Sequence, residues 1–410
     1  MTQPVSARGV DASPPSQWGG DVVVLLGSRR EAINLAPLIR VMTTSPRWNV
    51  SVVTMGGDAT TLTRTLESLD VVTTEDLGIE IPGMSVGALI GRAIERVHAV
   101  VLRRRPSVLI VEGESSAVLG ASLAAYHEGV VIAHVCTTAP APLSRVPGAV
   151  AAGALNARLI SQIAHLHFVP GAAVSTALLH QGVDPHNVVI VGSPAIDNLR
   201  WILRNKPGRS QFTTAKRHVL VVLRQNEFAT APLEVATRVA ARLAVSSDVE
   251  IVVPLRHRLV VRSLVEGKLG SLPRVRLTGD LDYRDYVATI ENADVVVTDS
   301  PSVQADAQTL RKPCVRTSDD LPGDSPGPPA SDGDFAAWVD AVFAHVRRLL
   351  DDGQYYADAI IPDESSLGGL AANSMELRLR AELAERRRPE GMSVQRLDAG
   401  SLVKNNGRTT

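Results

Sequence analysis

The chain of 410 residues is poor in cysteine, in aromatic residues and in lysine. Its two cysteines, Cys136 and Cys314, lie far apart and match no metal-binding or redox spacing, which excludes a disulfide-stapled secreted domain. Aromatic residues make up 3% of the chain, so alanine, valine and leucine must fill the cores. Five of the 42 basic residues are lysines, and the positive charge is therefore carried almost entirely by arginine.

Long apolar runs and an excess of charge of one sign are also missing. No run of about 18 apolar residues occurs, so no membrane span is expected, and residues 1–20 lack the apolar stretch of a signal peptide. The 42 basic and 43 acidic residues give a net charge of −1, which argues against a protein built to coat nucleic acid or an anionic membrane. We therefore expect a cytoplasmic protein with neither nucleic acid nor membrane among its partners.

Hydrophobic residues reach 45% of the chain, and they occur as short runs that end in glycine or polar residues. Each run is followed by a stretch with helical spacing, a pattern typical of buried parallel strands joined by right-handed βαβ crossovers. This alternation predicts an α/β protein with doubly wound parallel sheets. The predicted strands are 21–27, 50–54, 108–111, 130–135, 167–169, 188–191, 219–223, 249–253, 275–277 and 295–298.

The alternation restarts after Lys206-Pro207-Gly208, a break rich in helix-stopping residues. Two Rossmann-like domains joined near residues 198–215 fit both the length and the pattern, and their facing sheet edges would enclose a cleft. The predicted division is a flexible tail over 1–20, an N-terminal domain over 21–200, a C-terminal domain over 201–385 and a second tail over 386–410.

Polar loops follow the predicted strands on the side where ligands bind in such sheets. The first contains Arg29 at a helix start, a setting that suits a phosphate, although on this motif alone a surface arginine beside an ordinary turn is the favoured interpretation. The second contains Glu112 and Glu114. Strand alternation sends these carboxylates to opposite sides, so we expect one at most to enter the cleft as a base.

Two further loops could bind a diphosphate. Ser300 and Pro301 are typical of an N-cap and a first helical position, and the free N–H groups beyond them, from Ser302 onward, could also meet an anion. Arg224 and Arg256 follow two adjacent strands and would give the cleft a positive wall. The sequence contains no Walker loop, no zinc spacing and no G-x-S-x-G motif, so neither a cofactor nor a metal is predicted.

Taken together, these loops resemble the non-hydrolysing UDP-N-acetylglucosamine 2-epimerases, which have the two-Rossmann glycosyltransferase-B fold. Residues 27–38 are similar to the family's G-T-R-P-E-A-I-K-M-A-P-L, and residues 111–125 to its H-G-D-T-x-x-x-L-A-A-S-L-A. Residues 134–135 match H-V of its G-H-V-E-A-G, and residues 163–170 and 191–197 look like H-x-A-x-x-H-F-x-P and G-N-x-V-I-D. Residues 298–313 resemble L-T-D-S-G-G-x-Q-E-E-A-P-S-L-G-K-P. The matches are collinear over about residues 22–320.

The resemblance implies inversion of C2 of a UDP-sugar by elimination and re-addition of UDP, in a homodimer. It implies that Glu114 stands for the family's catalytic Asp and that Arg29 faces the phosphates. Tyr286 would lie against uracil and Asp306 would hold the ribose. The expected catalytic residues are Glu114, Arg224 and Arg29, and the expected UDP-binding residues are Arg29, Tyr286, Ser300, Ser302, Asp306 and Arg256.

The sequence departs from the family's motifs at several of these loops. Asn34 replaces a Lys, Cys136 replaces the catalytic Glu of H-V-E-A-G, and Arg224 replaces a His. Residues 152–157 lack the carboxylates of the family's P-E-E-A-N-R, and Pro301 and Ser302 replace two glycines. These departures predict an altered, more positive active site.

Three functions remain open on this sequence. The first is a UDP-sugar enzyme that still eliminates UDP, with 2-epimerisation of UDP-N-acetylglucosamine as its activity. The second is a non-catalytic relative that binds UDP-sugars or serves as a partner subunit. The third is a glycosyltransferase-like enzyme acting on another nucleotide sugar.

Overall fold

The computed structural model describes residues 20–56, 59–81, 83–141, 149–213, 216–223, 230–255, 259–317, 335–360 and 370–386. Apart from Gly20 and Arg386, the two predicted tails lie outside these ranges. None of the helices within them combines the length and the apolar character that crossing a bilayer requires.

The strands are β1 (Asp21–Leu26), β2 (Asn49–Gly56), β3 (Glu75–Glu80), β4 (Val108–Glu112), β5 (Val131–Val135), β6 (Leu166–Val169), β7 (Val188–Ile190), β8 (Arg217–Val222), β9 (Val249–Pro254), β10 (Val275–Thr278), β11 (Val295–Thr298) and β12 (Cys314–Arg316). The helices are α1 (Arg29–Thr43), α2 (Ala59–Ser68), α3 (Val86–Arg104), α4 (Ser116–His127), α5 (Ala149–Ile163), α6 (Ala172–His180), α7 (Pro194–Asn205), α8 (Thr230–Leu243), α9 (Leu259–Leu269), α10 (Tyr283–Glu291), α11 (Pro301–Thr309), α12 (Phe335–Asp351), α13 (Gly353–Ala359) and α14 (Ala371–Arg386).

The strands form two parallel sheets. The first has seven strands in the order β3-β2-β1-β4-β5-β6-β7, and the second has five in the order β10-β9-β8-β11-β12. In each sheet the strand order reverses beside the first strand, which is the switch point where doubly wound sheets open a crevice for a ligand. The two sheets confirm the predicted class of two Rossmann-like α/β domains.

The apolar runs become strands because both faces of each sheet are covered. Along β1 every residue after Asp21 is buried, and successive side chains enter different cores. Leu26 packs in the core on one face with Phe168 of β6, whereas Leu25 packs on the other face with Leu109 of β4. A strand buried on both sides therefore reads as a continuous apolar run.

Two strands, β3 and β12, add to those predicted from the sequence. β3 lies at the edge of the first sheet, and its burial alternates, with Leu77 and Ile79 as its buried residues. β12 is three residues long and forms the edge of the second sheet beside β11. Short or half-exposed edge strands lack the continuous apolar run by which central strands are recognised.

The final helix, α14, returns to the first half of the molecule. Met375 and Leu379 of α14 pack in the same core as residues of α1. Trp48 Nε1 donates to Glu376 Oε1 at 2.9 Å, and the backbone N–H of Ala372 donates to Asp197 Oδ2 at 3.1 Å. The predicted C-terminal domain, 201–385, includes this helix, and the domain limits stay a prediction.

Candidate active site

The turn between β1 and α1 places two adjacent arginines at the carboxyl edge of the first sheet. Ser28 caps α1 by accepting a hydrogen bond from the backbone N–H of Glu31 at 3.3 Å. The Glu31 carboxylate accepts in return from the backbone N–H of Gly27 at 2.5 Å and from the Ser28 hydroxyl at 3.1 Å. This reciprocal capping fixes the first turn of the helix, and with it Arg29 and Arg30.

Arg29 reaches across to the second half of the molecule. Its Nη1 donates to the carbonyl oxygen of Leu281 at 3.2 Å and lies 3.4 Å from Asp280 Oδ1. Its guanidinium carbon is 5.9 Å from the centre of the Tyr286 ring, within the range of a cation–π contact. A cation from α1 thus stands beside the start of α10.

Tyr286 connects this arginine to Asp306. The phenol hydroxyl donates to Asp306 Oδ2 at 2.8 Å. Burial raises the pKa of Asp306 to about 7, while the hydrogen bond from Tyr286 and the charge of Arg29 act in the opposite direction. The three residues predicted to contact phosphate, uracil and ribose are therefore brought together: Arg29, Tyr286 and Asp306.

Ser300 and Ser302 lie at the start of α11, the same helix that carries Asp306. Ser300 is at the N-cap position and Pro301 in the first turn, as the sequence predicts. The Ser300 hydroxyl does not cap the helix; its Oγ lies 2.9 Å from Ser302 Oγ. The first turn therefore presents two hydroxyl groups on the helix whose later turn holds Asp306.

A second cluster surrounds the turn after β4. Arg30 Nε lies 3.5 Å from Glu112 Oε2, and Arg30 Nη2 lies 3.7 Å from Glu114 Oε2. Gly113 between them has φ +80°, and a Cβ there would come within 2.6 Å of Arg30 Nη2. A glycine is thus required for the guanidinium to sit against the turn. The Glu112 side chain is fully buried, whereas that of Glu114 is 39% exposed.

Helix α5 closes the other side of Glu114. Asn156 Nδ2 donates to the backbone oxygen of Glu114 at 3.1 Å and to Ser116 Oγ at 3.2 Å. The position that a Cβ of Gly153 would take is 3.8 Å from Glu114 Cγ. The stretch that lacks the family's carboxylates therefore faces the predicted base.

Cys136 follows β5 next to the same cluster and is buried. Burial, together with the charges of Glu114 and Glu112, raises the pKa of its thiol to about 12. A thiol that stays protonated is neither a nucleophile nor a base near neutral pH.

The predicted site residues fall into two clusters and a remainder. Arg29, Tyr286 and Asp306 form one, with the Ser300–Ser302 pair on the same helix as Asp306, while Glu114 belongs to the other. Arg224 and Arg256 lie outside the described residues. Sequence reasoning gave no role to Arg30, which stands where the family motif has Pro, or to Thr137, whose Oγ1 donates to Glu112 Oε1 at 2.9 Å.

The two parallel α/β sheets define a protein of the glycosyltransferase-B type. A family model described as UDP-N-acetylglucosamine 2-epimerase matches residues 41–320, and the chain belongs to this family of isomerases. A UDP-N-acetylglucosamine 2-epimerase of Salmonella borreze is 24% identical over 359 residues, covering 82% of this chain and 91% of the relative. That of Escherichia coli K12 is 26% identical over 304 residues, covering 71% and 80%.

Solved structures agree with the fold. A putative UDP-N-acetylglucosamine 2-epimerase from Listeria monocytogenes superimposes with a TM-score of 0.74 at 22% identity, over 91% of this chain and 99% of that one. The Neisseria meningitidis UDP-GlcNAc 2-epimerase, solved with UDP-GlcNAc bound, gives a TM-score of 0.73 at 20% identity, over 89% and 100%.

Proposed function

We propose that this protein is a UDP-N-acetylglucosamine 2-epimerase, which interconverts UDP-GlcNAc and UDP-ManNAc by eliminating UDP and adding it back. The observation that carries the proposal is the pair of clusters joined by Arg29 and Arg30. One cluster has the chemistry to bind a nucleoside diphosphate, and the other has a half-exposed carboxylate for proton transfer. Adjacent residues of α1 link the two.

The cluster around Arg29 is assigned to UDP. Arg29 is a fixed cation for the diphosphate, and guanidinium groups suit phosphate oxygens because they donate in pairs. Uracil can stack on the face of the Tyr286 ring, and the Asp306 carboxylate can accept hydrogen bonds from the two ribose hydroxyls. Ser300 and Ser302 add hydroxyl donors at the N-terminus of α11, where the helix dipole favours negative charge.

The cluster around Glu114 is assigned to the sugar. Glu114 would take the proton from C2 as the bond from C1 to the UDP oxygen breaks, leaving a 2-acetamidoglucal and UDP. Arg30 beside it holds the carboxylate in place. Arg224 and Arg256 follow β8 and β9 in the sequence, and we assign them to the departing diphosphate, where fixed positive charge stabilises developing negative charge.

The test is incubation with UDP-GlcNAc in heavy water, followed by NMR. Deuterium at C2 together with UDP-ManNAc supports the proposal. Glu114→Gln should lower both by at least about a hundredfold, the usual contribution of a general base. Glu67→Gln, an exposed carboxylate on α2, is the matched control and should leave both rates unchanged.

The two other functions are outcomes of the same experiment. Free UDP without deuterium at C2 would replace epimerisation by transfer or hydrolysis. No turnover, with UDP still raising the melting temperature, would leave a UDP-binding protein without catalysis.

We also propose that the protein is a homodimer. Val86, Ile94 and Leu102 are exposed apolar residues of α3, and exposed apolar side chains on one helix can contribute to a subunit interface. Leu102→Glu should shift the mass measured by light scattering to that of a monomer, whereas Val245→Glu, an exposed site elsewhere, should not. The expected location in the cytoplasm stays a prediction.

A further inference from the structure

Four departures from the family's motifs lie together around the turn after β4. Asn34 replaces a Lys, and four residues earlier Arg30 replaces a Pro. Cys136 replaces a Glu at the end of β5, and Glu112 replaces a His at the end of β4, where its backbone pairs in register with Val135. The charge changes compensate each other. The cation lost at Asn34 is regained at Arg30, and the carboxylate lost at Cys136 is regained at Glu112. The second carboxyl group of this cluster is therefore displaced rather than absent.

The carboxylate of Glu112 is buried, and only one of its two oxygens accepts hydrogen bonds from the described residues. Its side chain is fully buried, and Oε1 accepts from Asn34 Nδ2 at 3.0 Å and from Thr137 Oγ1 at 2.9 Å. Oε2 is also buried and accepts no hydrogen bond from the described residues; its ion-pair partner is Arg30 Nε at 3.5 Å. A buried carboxylate that is only partly satisfied is costly, and such groups are retained mainly where chemistry needs them.

Glu112 and Glu114 occupy contrasting surroundings on either side of one guanidinium. Burial raises the pKa of Glu112, and Arg30, Thr137 and Asn34 oppose that shift. The titratable and charged groups around it are Arg30 and Glu31 from α1, Glu114 from its own turn, and Cys136 and the buried His134 from β5 and its end. Two nearby carboxyls in different environments commonly divide acid and base roles between them.

Thr137 connects the buried carboxyl to the cleft. It follows β5 at the carboxyl edge of the sheet and is half-buried, whereas Glu112 behind it is closed to solvent. A hydroxyl group can donate one proton while it accepts another. When Glu112 carries a proton, the hydrogen bond between its Oε1 and Thr137 Oγ1 reverses, because the carboxyl group is then the donor. Thr137 can then donate its own proton outward while it accepts the one from Glu112.

We infer that Glu112 and Thr137 form a proton relay that serves C2 of the sugar from the face opposite Glu114. The inference rests on the proposed function. In re-addition the UDP oxygen bonds to C1, the double bond opens, and C2 takes the Thr137 hydroxyl proton. Thr137 takes the Glu112 proton, and the resulting carboxylate faces Arg30. Glu112 acts only through Thr137 and is a positioning residue, and its proton is recovered from water through the same hydroxyl.

The decisive variant is Thr137→Val, which keeps the shape of the side chain and removes the hydroxyl. UDP-ManNAc formation should fall by at least about a hundredfold. Deuterium exchange at C2 of UDP-GlcNAc should persist, because Glu114 can return a proton to the face from which it took one. Glu112→Gln should give the same split, and Thr138→Val, on the exposed neighbour, should change neither rate.

The split separates the relay from the proposed function. If Thr137→Val loses UDP-ManNAc formation and deuterium exchange at C2 equally, or loses no UDP-ManNAc formation, the relay is wrong. Neither result would contradict the proposed epimerase activity. A wild-type protein that shows neither exchange nor epimer would overturn the proposed function itself.

A second measurement follows the proton directly. In protein labelled with carbon-13 at the glutamate carboxyls, the Glu112 signal is assigned by its loss in Glu112→Gln. It should titrate above the exposed glutamates and move further up in Arg30→Gln, because the opposing cation is gone. A Glu112 signal that titrates with the exposed glutamates contradicts the relay.

Discussion

Arg29 and Arg30 are neighbours in the first turn of α1, yet their guanidinium groups belong to different clusters. Arg29 Nη1 donates to the Leu281 oxygen at 3.2 Å in the second half, whereas Arg30 Nη2 lies 3.7 Å from Glu114 Oε2 in the first. The same capped turn therefore aligns the proposed UDP site with the proposed sugar site. A change in that turn should affect both.

Replacing Arg29 by Ala should weaken UDP binding about 10- to 100-fold, since hydrogen bonds to charged groups contribute about 1.5–3 kcal/mol. Calorimetric titration with UDP measures the change. Arg47→Ala, an exposed arginine in the turn after α1, is the control and should bind UDP like the wild type. If Arg29→Ala and the wild type bind UDP with equal affinity, Arg29 does not contribute to UDP binding.

The affinity for UDP-GlcNAc should rise with pH as Asp306 loses its proton. The pKa of Asp306 is about 7, and the ribose hydroxyls need the ionised carboxylate as acceptor. Below that value affinity should fall by up to about tenfold for each pH unit, because the ionised fraction falls by that factor. In Asp306→Asn the dependence should disappear, and an unchanged slope would show that another group titrates.

Glu31 should make the protein less stable as the pH rises from about 5 to about 8. Burial raises the pKa of Glu31 from 4.5 to about 8. In this window the folded state binds more protons than the unfolded state, so the free energy of unfolding falls with pH, by up to about 4 kcal/mol. Urea unfolding at both ends of the window measures it. Glu31→Gln should flatten the dependence and Glu67→Gln should not.

Cys136 should resist alkylation in the folded protein. With a thiol pKa of about 12 its thiolate is scarce at pH 8, so iodoacetamide should react about a thousandfold more slowly than with a free cysteine. Peptide mass spectrometry distinguishes it from Cys314. Reaction should become fast after unfolding in urea, and rapid labelling of Cys136 in the folded state would contradict the burial described above.

Central strands could be predicted from the sequence because both of their faces are buried. The run 108–111 and the structural strand β4 differ by a single residue, Glu112, whose charge hides its burial. β3 was missed because Glu75, Asp76 and Glu80 interrupt its apolar pattern at a sheet edge. Burial of a charged residue depends on partners from distant parts of the chain, and local patterns do not contain them.

The same limit applies to the site. The start of α11 could be predicted because Ser300 and Pro301 have strong positional preferences. The contact of Arg29 with Leu281 joins residues more than 250 positions apart, and no spacing indicates it. Asn34 and Cys136, judged one at a time, predict lost function, whereas the structure places their compensating neighbours within the same cluster.

Because α14 packs on α1, the chain passes between the two halves twice, once between α7 and β8 and again between α13 and α14. The two crossings connect the halves at two places that lie far apart along the chain. The core of the first half is therefore complete only when α14, from the far end of the described chain, has packed on it.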